Sequence, residues 1–220
     1  MKNLDKAVIF DLDGTLWDSS KEVVKAWNIV LERHPQLDRK ITLEDMHSYM
    51  GKNIHQIFEL MLPDTSEEER LRLMEESCKE EHSYLAKHGG KLYDSVVEIL
   101  DKLKKDYKLM IVSNCQDGYA QTFLEYTKLW DYFCDFEVHG RTGLSKGENI
   151  KLVMERNGIK EAVYVGDTMG DKEAAKVARV PFIYAEYGFG QVDDAKYIAK
   201  SFRDVEEIVG EIFINLLHYK

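Results

Sequence analysis

The chain has 220 residues, 44% of them hydrophobic and 32% charged, with a formal net charge of -10. That size suffices for one substantial core, or for a core with a small satellite domain. The acidic balance argues against a nucleic-acid polymer as partner, and no apolar run approaches the roughly 20 residues that cross a bilayer, so no membrane association is expected. The first residues, MKNLDK, lead directly into the first apolar run, so no signal peptide is expected and the expected location is the cytoplasm. Three widely spaced cysteines, Cys78, Cys115 and Cys134, form no C-x-x-C pair and are expected to be buried free thiols. The sequence carries no repeat and no Pro-rich linker, and it leaves open a monomer or a homodimer.

Ala7, Val8, Ile9 and Phe10 are four consecutive apolar residues bounded by a turn, the pattern of a strand buried on both faces. They run directly into Asp11, Leu12, Asp13 and Gly14. Next, Asp18 or Ser19 is placed to cap a helix carrying Val23, Val24, Trp27, Val30 and Leu31 at helical spacing, closed by Pro35. Thr42 with Asp45 opens a short helix ending near Gly51. Ile54, Ile57, Phe58 and Met61 mark another, which stops before Pro63. Ser66 with Glu69 opens a long amphipathic segment bearing Leu71, Met74, Cys78 and Leu85, which ends at Gly89 and Gly90. No strand is evident between about residues 16 and 89, so this stretch reads as a small helical domain inserted after the first turn.

From Lys91 the chain alternates helix and strand, the mark of a parallel sheet covered on both faces. Asp94 or Ser95 is expected to cap a helix through Val97, Leu100 and Leu103. Leu109 to Val112 forms the next buried strand, ending in Ser113 and Asn114. A helix with Tyr119, Phe123 and Leu124 follows, then a short strand at Phe136 to Val138 and a helix from about Lys146 to Gly158. Ala162 to Val165 is a third buried strand, ending in Gly166 and Asp167, with Asp171 four residues on. Phe182 to Ala185 and Tyr197 to Ala199 are weaker strands before a final amphipathic helix through Val205, Ile208, Ile212 and Leu216. The expected architecture is therefore α/β, a doubly wound parallel sheet of residues 1–15 and 90–220 with an all-helical cap of residues 16–89.

Three strands thus end, at one edge of one sheet, in Asp11 with Asp13, in Ser113, and in Asp167 with Asp171. In open α/β sheets that edge is where ligands bind. A D-x-D-G sequence is also an ordinary turn, but each residue type suits phosphoryl transfer. Asp11 is a carboxylate that can attack phosphorus and form an aspartyl phosphate. Asp13 can protonate the leaving alcohol and then deprotonate water. Ser113, with nearby backbone N–H groups, offers neutral donors to the phosphoryl oxygens, and Lys146 supplies fixed positive charge. Four carboxylates gathered beside a phosphate require a cation. All-oxygen ligands select Mg²⁺, assigned to the Asp11 side chain, the Asp13 carbonyl and Asp167, with Asp171 as the residue that orients this shell.

These motifs resemble those of the haloacid dehalogenase-like hydrolase superfamily, and within it the phosphoglycolate phosphatase-like branch. DLDGTLWDS is similar to the family's first motif, VSN to its second, Lys146 to its third and GDTMGD to its fourth. Where members often have Lys-Pro-x-Pro, this chain has Lys146-Gly-Glu-Asn, which leaves Arg141 and Lys151 as alternatives to Lys146. Tyr187 to Gly190, ahead of Asp193 and Asp194, resembles a loop after the fifth strand. Gly51 and Lys52 stand where family caps reach over the site, and Lys52 and Asn114 join Ser113 as expected substrate-binding residues. The resemblance implies Mg²⁺-dependent hydrolysis of a small phosphorylated metabolite, either phosphoglycolate-like or a sugar phosphate. Asp13 speaks against dehalogenase or phosphonatase chemistry. A sugar phosphomutase, which releases no net phosphate, and a non-catalytic sensor of a phosphorylated ligand are the alternatives.

Overall fold

The first apolar run forms β1 (Lys6–Phe10) in the computed structural model, which describes residues 5–218. After β2 (Trp17–Asp18) come four helices, α1 (Ser20–Arg33), α2 (Leu43–Tyr49), α3 (Ile54–Met61) and α4 (Glu67–His88), and then β3 (Lys91–Leu92). The remainder alternates: α5 (Val96–Leu103), β4 (Lys108–Ser113), α6 (Tyr119–Thr127), β5 (Asp135–Val138), α7 (His139–Thr142), α8 (Lys146–Arg156) and β6 (Glu161–Gly166). It closes with α9 (Met169–Ala178), β7 (Phe182–Ala185), β8 (Tyr197–Ala199) and α10 (Val205–His218).

Six strands form one parallel sheet in the order β5-β4-β1-β6-β7-β8. Successive residues of a strand face opposite sides, and the core divides accordingly. Val8, Phe10, Leu109, Ile111, Val163 and Val165 pack with Ile99 and Leu100 of α5 and with Val205 and Val209 of α10. Ala7, Ile9, Met110, Val112 and Tyr164 pack on the other side with Ile150 and Val153 of α8 and Ala174 and Ala175 of α9. Because both faces are covered, the strands read as unbroken apolar runs and not as alternating ones.

Side-chain caps fix several helix starts. Thr42 and Asp45 at α2, Asn53 and Gln56 at α3, Ser145 and Glu148 at α8, and Thr168 and Asp171 at α9 each exchange reciprocal bonds with the backbone. Ser66 receives the amide of Glu69 at α4. At α1 the position before the helix is Ser19, but the side-chain contact comes from Asp18, which accepts from the Ser20 amide at 2.9 Å.

Four expectations need correction. Trp17 and Asp18 lie in a strand, pairing antiparallel with Leu92 and Lys91, so the two chain crossings of the helical segment are pinned to each other. Neither Asp94 nor Ser95 caps α5; Ser95 is in the left-handed region (φ 68) without a side-chain cap bond, and Val97 is exposed while Val96 and Ile99 are buried. The buried face of α4 is Leu73, Ser77, Glu81 and Leu85; Leu71 is exposed, and Met74 and Cys78 are half-buried. The thiols are free, but Cys134 is exposed and Cys78 and Cys115 are only partly buried.

Candidate active site

Leaving β1, the chain turns sharply: the amides of Thr15 and Leu16 both donate to the Leu12 carbonyl. Gly14 sits in this turn with φ +79, and a Cβ there would lie 2.1 Å from Asp167 Oδ2. Only glycine allows the first turn to lie directly on the end of β6. The carboxyl ends of β1, β4 and β6 are neighbours in the sheet, and they bring Asp11, Ser113 and Asp167 to one edge.

Carboxylate oxygens of Asp11, Asp167 and Asp171 lie within 4.8 Å of one another, and all three residues are buried. Lys146, at the first turn of α8, places its Nζ 3.0 Å from Asp11 Oδ2 and 2.6 Å from Asp171 Oδ1. Asp171 is fully engaged: its Oδ2 accepts from the amides of Asp167 and Thr168 and from Thr168 Oγ1, and Tyr164 Oη also reaches Oδ1. Asp167 Oδ2 accepts from the amides of Phe189 and Gly190, at 2.8 and 3.4 Å. Asp11 Oδ1 and Asp167 Oδ1 are left buried without a hydrogen-bond partner.

Electrostatics matches this geometry. Burial pushes the Asp11 carboxyl up to about 6, with Lys146 opposing and Asp171 reinforcing the shift. Asp167 is raised well above the usual carboxylate range by burial, then by Asp171 and Asp11. Burial works against the Lys146 charge, but Asp11 and Asp171 outweigh it and hold the ammonium above its ordinary value. Two buried, unpartnered carboxylate oxygens facing one cluster, with one lysine against three acids, are the donor set a hard divalent cation requires. The residues therefore fit Mg²⁺, with open oxygens on Asp11 and Asp167 and with Asp171 engaged in holding the loop and Lys146.

Asp13 is held differently. Ser19 Oγ and Tyr119 Oη each lie 2.7 Å from its Oδ1, and 2.6 Å from one another. Donation alone favours the carboxylate. Two hydroxyl hydrogens, however, fill only two of the three contacts, and a proton on Asp13 fills the third. Burial is the larger effect and pushes the Asp13 carboxyl up to about 6. Asp11 and Asp13 thus stand two residues apart in different settings, one beside a lysine and one in a ring of hydroxyls.

A cavity of about 80 Å³ separates this edge from α1 to α4, lined by Asp11, Asp13, Ser113, Asn114 and Lys146 on one side. Asn114 Nδ2 donates to the Gly51 carbonyl at 2.9 Å, tying the strand edge to the turn between α2 and α3. Lys52 lines the cavity but is exposed, and its ammonium donates to the Ser48 carbonyl at 2.7 Å. Of the alternatives to Lys146, Arg141 lies 3.4 Å from Asp117 and 3.6 Å from Glu137, and Lys151 is exposed; neither joins the cluster. Cys115 lines the cavity with its thiol pushed up by burial, which makes it a packing residue and not a nucleophile.

Sequence reasoning missed Tyr119 and Glu81 as residues of this site and gave Tyr119 only as a helix residue. Glu81 is 2% exposed and lines the same cavity. The available signal was the four-residue spacing of Leu73, Ser77, Glu81 and Leu85. The backbone of the Tyr187–Gly190 loop also does more than its resemblance implied, since it supplies the amides that hold Asp167.

Residues 8–185 match the family model described as haloacid dehalogenase-like hydrolase. A phosphoglycolate phosphatase of Nitrosospira multiformis is 28% identical over 202 residues, covering 86% of each chain. A pyrophosphatase PpaX of Listeria innocua is 28% identical over 175 residues, covering 78% of each. Among solved structures, a predicted phosphatase from Clostridium acetobutylicum is similar with a TM-score of 0.78 and 26% identity, over 95% of this chain and 100% of that one.

Proposed function

The chain belongs to the haloacid dehalogenase-like hydrolase family, and from that membership and the geometry of its acidic edge we propose that it is a Mg²⁺-dependent phosphatase of a small phosphomonoester, working through an aspartyl phosphate on Asp11. The observation that carries this is the pair of buried, unpartnered oxygens on Asp11 and Asp167 beside Lys146. Residues 1–15 and 90–220 serve as the catalytic core and residues 16–89 as a cap that excludes bulk water.

The Asp11 side chain, the Asp13 carbonyl and Asp167 would hold Mg²⁺, with Asp171 orienting the loop, and the ion would supply charge to offset the carboxylates and the phosphoryl oxygens. The Asp11 carboxylate attacks phosphorus as the bond to the leaving oxygen breaks. Asp13, with its proton held in the hydroxyl ring of Ser19 and Tyr119, passes that proton to the leaving oxygen. The alcohol departs. Asp13 then takes a proton from the water that attacks the aspartyl phosphate, and phosphate and the Asp11 carboxylate are regenerated. Ser113 and Asn114 donate to the transferring oxygens and Lys146 opposes their charge.

The test is inorganic phosphate release from a panel of phosphate esters with Mg²⁺, by wild type and Asp11→Asn in parallel. Wild type is expected to turn over several esters and the folded variant to lose nearly all activity. Wild-type rates in the variant would remove Asp11 as nucleophile. Isomerisation of a sugar phosphate without phosphate release would identify a mutase.

A further inference from the structure

Glu81 stands on the cap side of the cavity, opposite the catalytic edge. Its Oε2 accepts from Trp27 Nε1 at 2.6 Å and its Oε1 from Gln116 Nε2 at 2.9 Å. Both contacts are N–H donors. These two donors suit the ionised form, and a protonated Glu81 would turn the Gln116 amide over so that its oxygen accepts the O–H. Burial opposes that form and pushes the carboxyl up to about 8. Among the described residues no lysine, arginine or histidine forms an ion pair with Glu81. Without a counter-charge the buried carboxylate is unfavourable, and Glu81 keeps its proton below about pH 8; a positive charge within the cavity is what its ionised form lacks.

The rest of the wall points the same way. On the cap side the cavity that holds Glu81 is also lined by Val23, Trp27, Met46, Tyr49 and Ile57, and on the other side by Cys115, Gln116 and Tyr119. Of its two lysines, Lys146 is paired with Asp11 and Asp171, and the exposed Lys52 donates to the Ser48 carbonyl; neither pairs with Glu81. An anionic leaving group, such as a carboxylate or a second phosphate, would meet Glu81 and an apolar wall. A cation would meet a carboxylate and two aromatic side chains, a favourable setting for an ammonium.

We propose that the substrate is the phosphomonoester of a short amino alcohol, with its phosphate at Asp11 and its ammonium group against Glu81, Trp27 and Tyr49. This rests on the phosphatase function above and narrows it. The bond changes are those of the hydrolysis already described: the ammonium neither gains nor loses a bond, and it selects and orients the leaving group.

The test compares kcat/KM for O-phosphoethanolamine, the uncharged n-propyl phosphate and phosphoglycolate, in wild type and in Glu81→Gln. Wild type is expected to favour O-phosphoethanolamine over each of the others by at least about tenfold, and Glu81→Gln to bring its ratio to n-propyl phosphate near unity. A wild type that hydrolyses phosphoglycolate or n-propyl phosphate equally well, or a variant that keeps the ratio, overturns the assignment of the leaving group while leaving the phosphatase function standing. Failure of wild type to release phosphate from any of the three, or from p-nitrophenyl phosphate, overturns both. Should Glu81→Gln fail to fold, wild type alone decides: ethylammonium must inhibit p-nitrophenyl phosphate hydrolysis more strongly than acetate or ethanol, and equal inhibition overturns the assignment.

Discussion

Asp11 and Asp13 show how two identical side chains, two positions apart, acquire different chemistry. The difference lies in residues brought in from far along the chain. Tyr119 reaches Asp13 across 106 positions, and its ring is held by packing against Trp17 at 5.9 Å between centroids. Tyr119→Phe should therefore keep the fold but lose one contact to Asp13 Oδ1. Expected is a fall in kcat of about tenfold or more with little change in KM, since positioned proton transfer is typically worth about 10²–10⁴-fold; steady-state kinetics alongside circular dichroism checks it. An unchanged kcat would show that Ser19 alone positions the acid. Asp11 and Asp167 were legible in the sequence because each directly follows an apolar strand, and Asp13 and Asp171 because they stand two and four residues further on. Tyr119 and Glu81 were not, since a helix residue carries no local sign of the partner that tertiary packing gives it.

Elements were legible in proportion to their length and to their caps. The helices α2 and α4 begin where Thr42 with Asp45, and Ser66 with Glu69, cap their first turns. Two-residue strands such as β2 and β3 carry no periodicity, and so the pairing of Trp17 with Leu92 was invisible. The face of α4 was misread because an apolar stripe of Leu71, Met74 and Cys78 competes with the line on which Ser77 and Glu81 are buried. The loop after β7 also had a sequence signature but no legible purpose. Its Gly188 packs so closely that a Cβ would lie 2.4 Å from both Asp167 Cβ and the Gly14 carbonyl oxygen. Gly188→Ala should thus separate the first turn from Asp167. The expected cost is about 1–3 kcal/mol, read as a lower Tm, together with weaker Mg²⁺ activation in a titration of activity against the ion. A wild-type Mg²⁺ titration in this variant would show that the loop does not set the position of Asp167.

At the scale of the whole molecule, the sheet order gathers one charge sign at one rim, and stability must respond to pH and to the cation. The ordinary values are 3.8 for Asp and 4.5 for Glu; in the folded protein Asp11 and Asp13 are raised to about 6, Glu81 to about 8, and Asp167 upward as well. For a raised carboxyl the folded state binds the proton more tightly than the unfolded chain. The slope of stability with pH is then negative between the two values, up to about 1.4 kcal/mol per pH unit for each group in its window, and flat above the folded value. In EDTA the protein should accordingly lose Tm steadily from about pH 5 to pH 8. Its upper part, between about pH 6 and 8, belongs in large measure to Glu81 and should flatten in Glu81→Gln. Mg²⁺ binds the ionised oxygens of Asp11 and Asp167, so its stabilisation should grow as pH rises and reach about 2.7 kcal/mol at 100 times its Kd. Asp167→Asn should abolish most of that increment and leave the Glu81 slope in place. Thermal melts of the three proteins at pH 5, 6, 7 and 8, with and without Mg²⁺, decide the matter: a Tm that rises with pH in EDTA, or an equal Mg²⁺ effect at pH 5 and pH 8, would mean that these carboxyls are not held in their protonated forms by the fold.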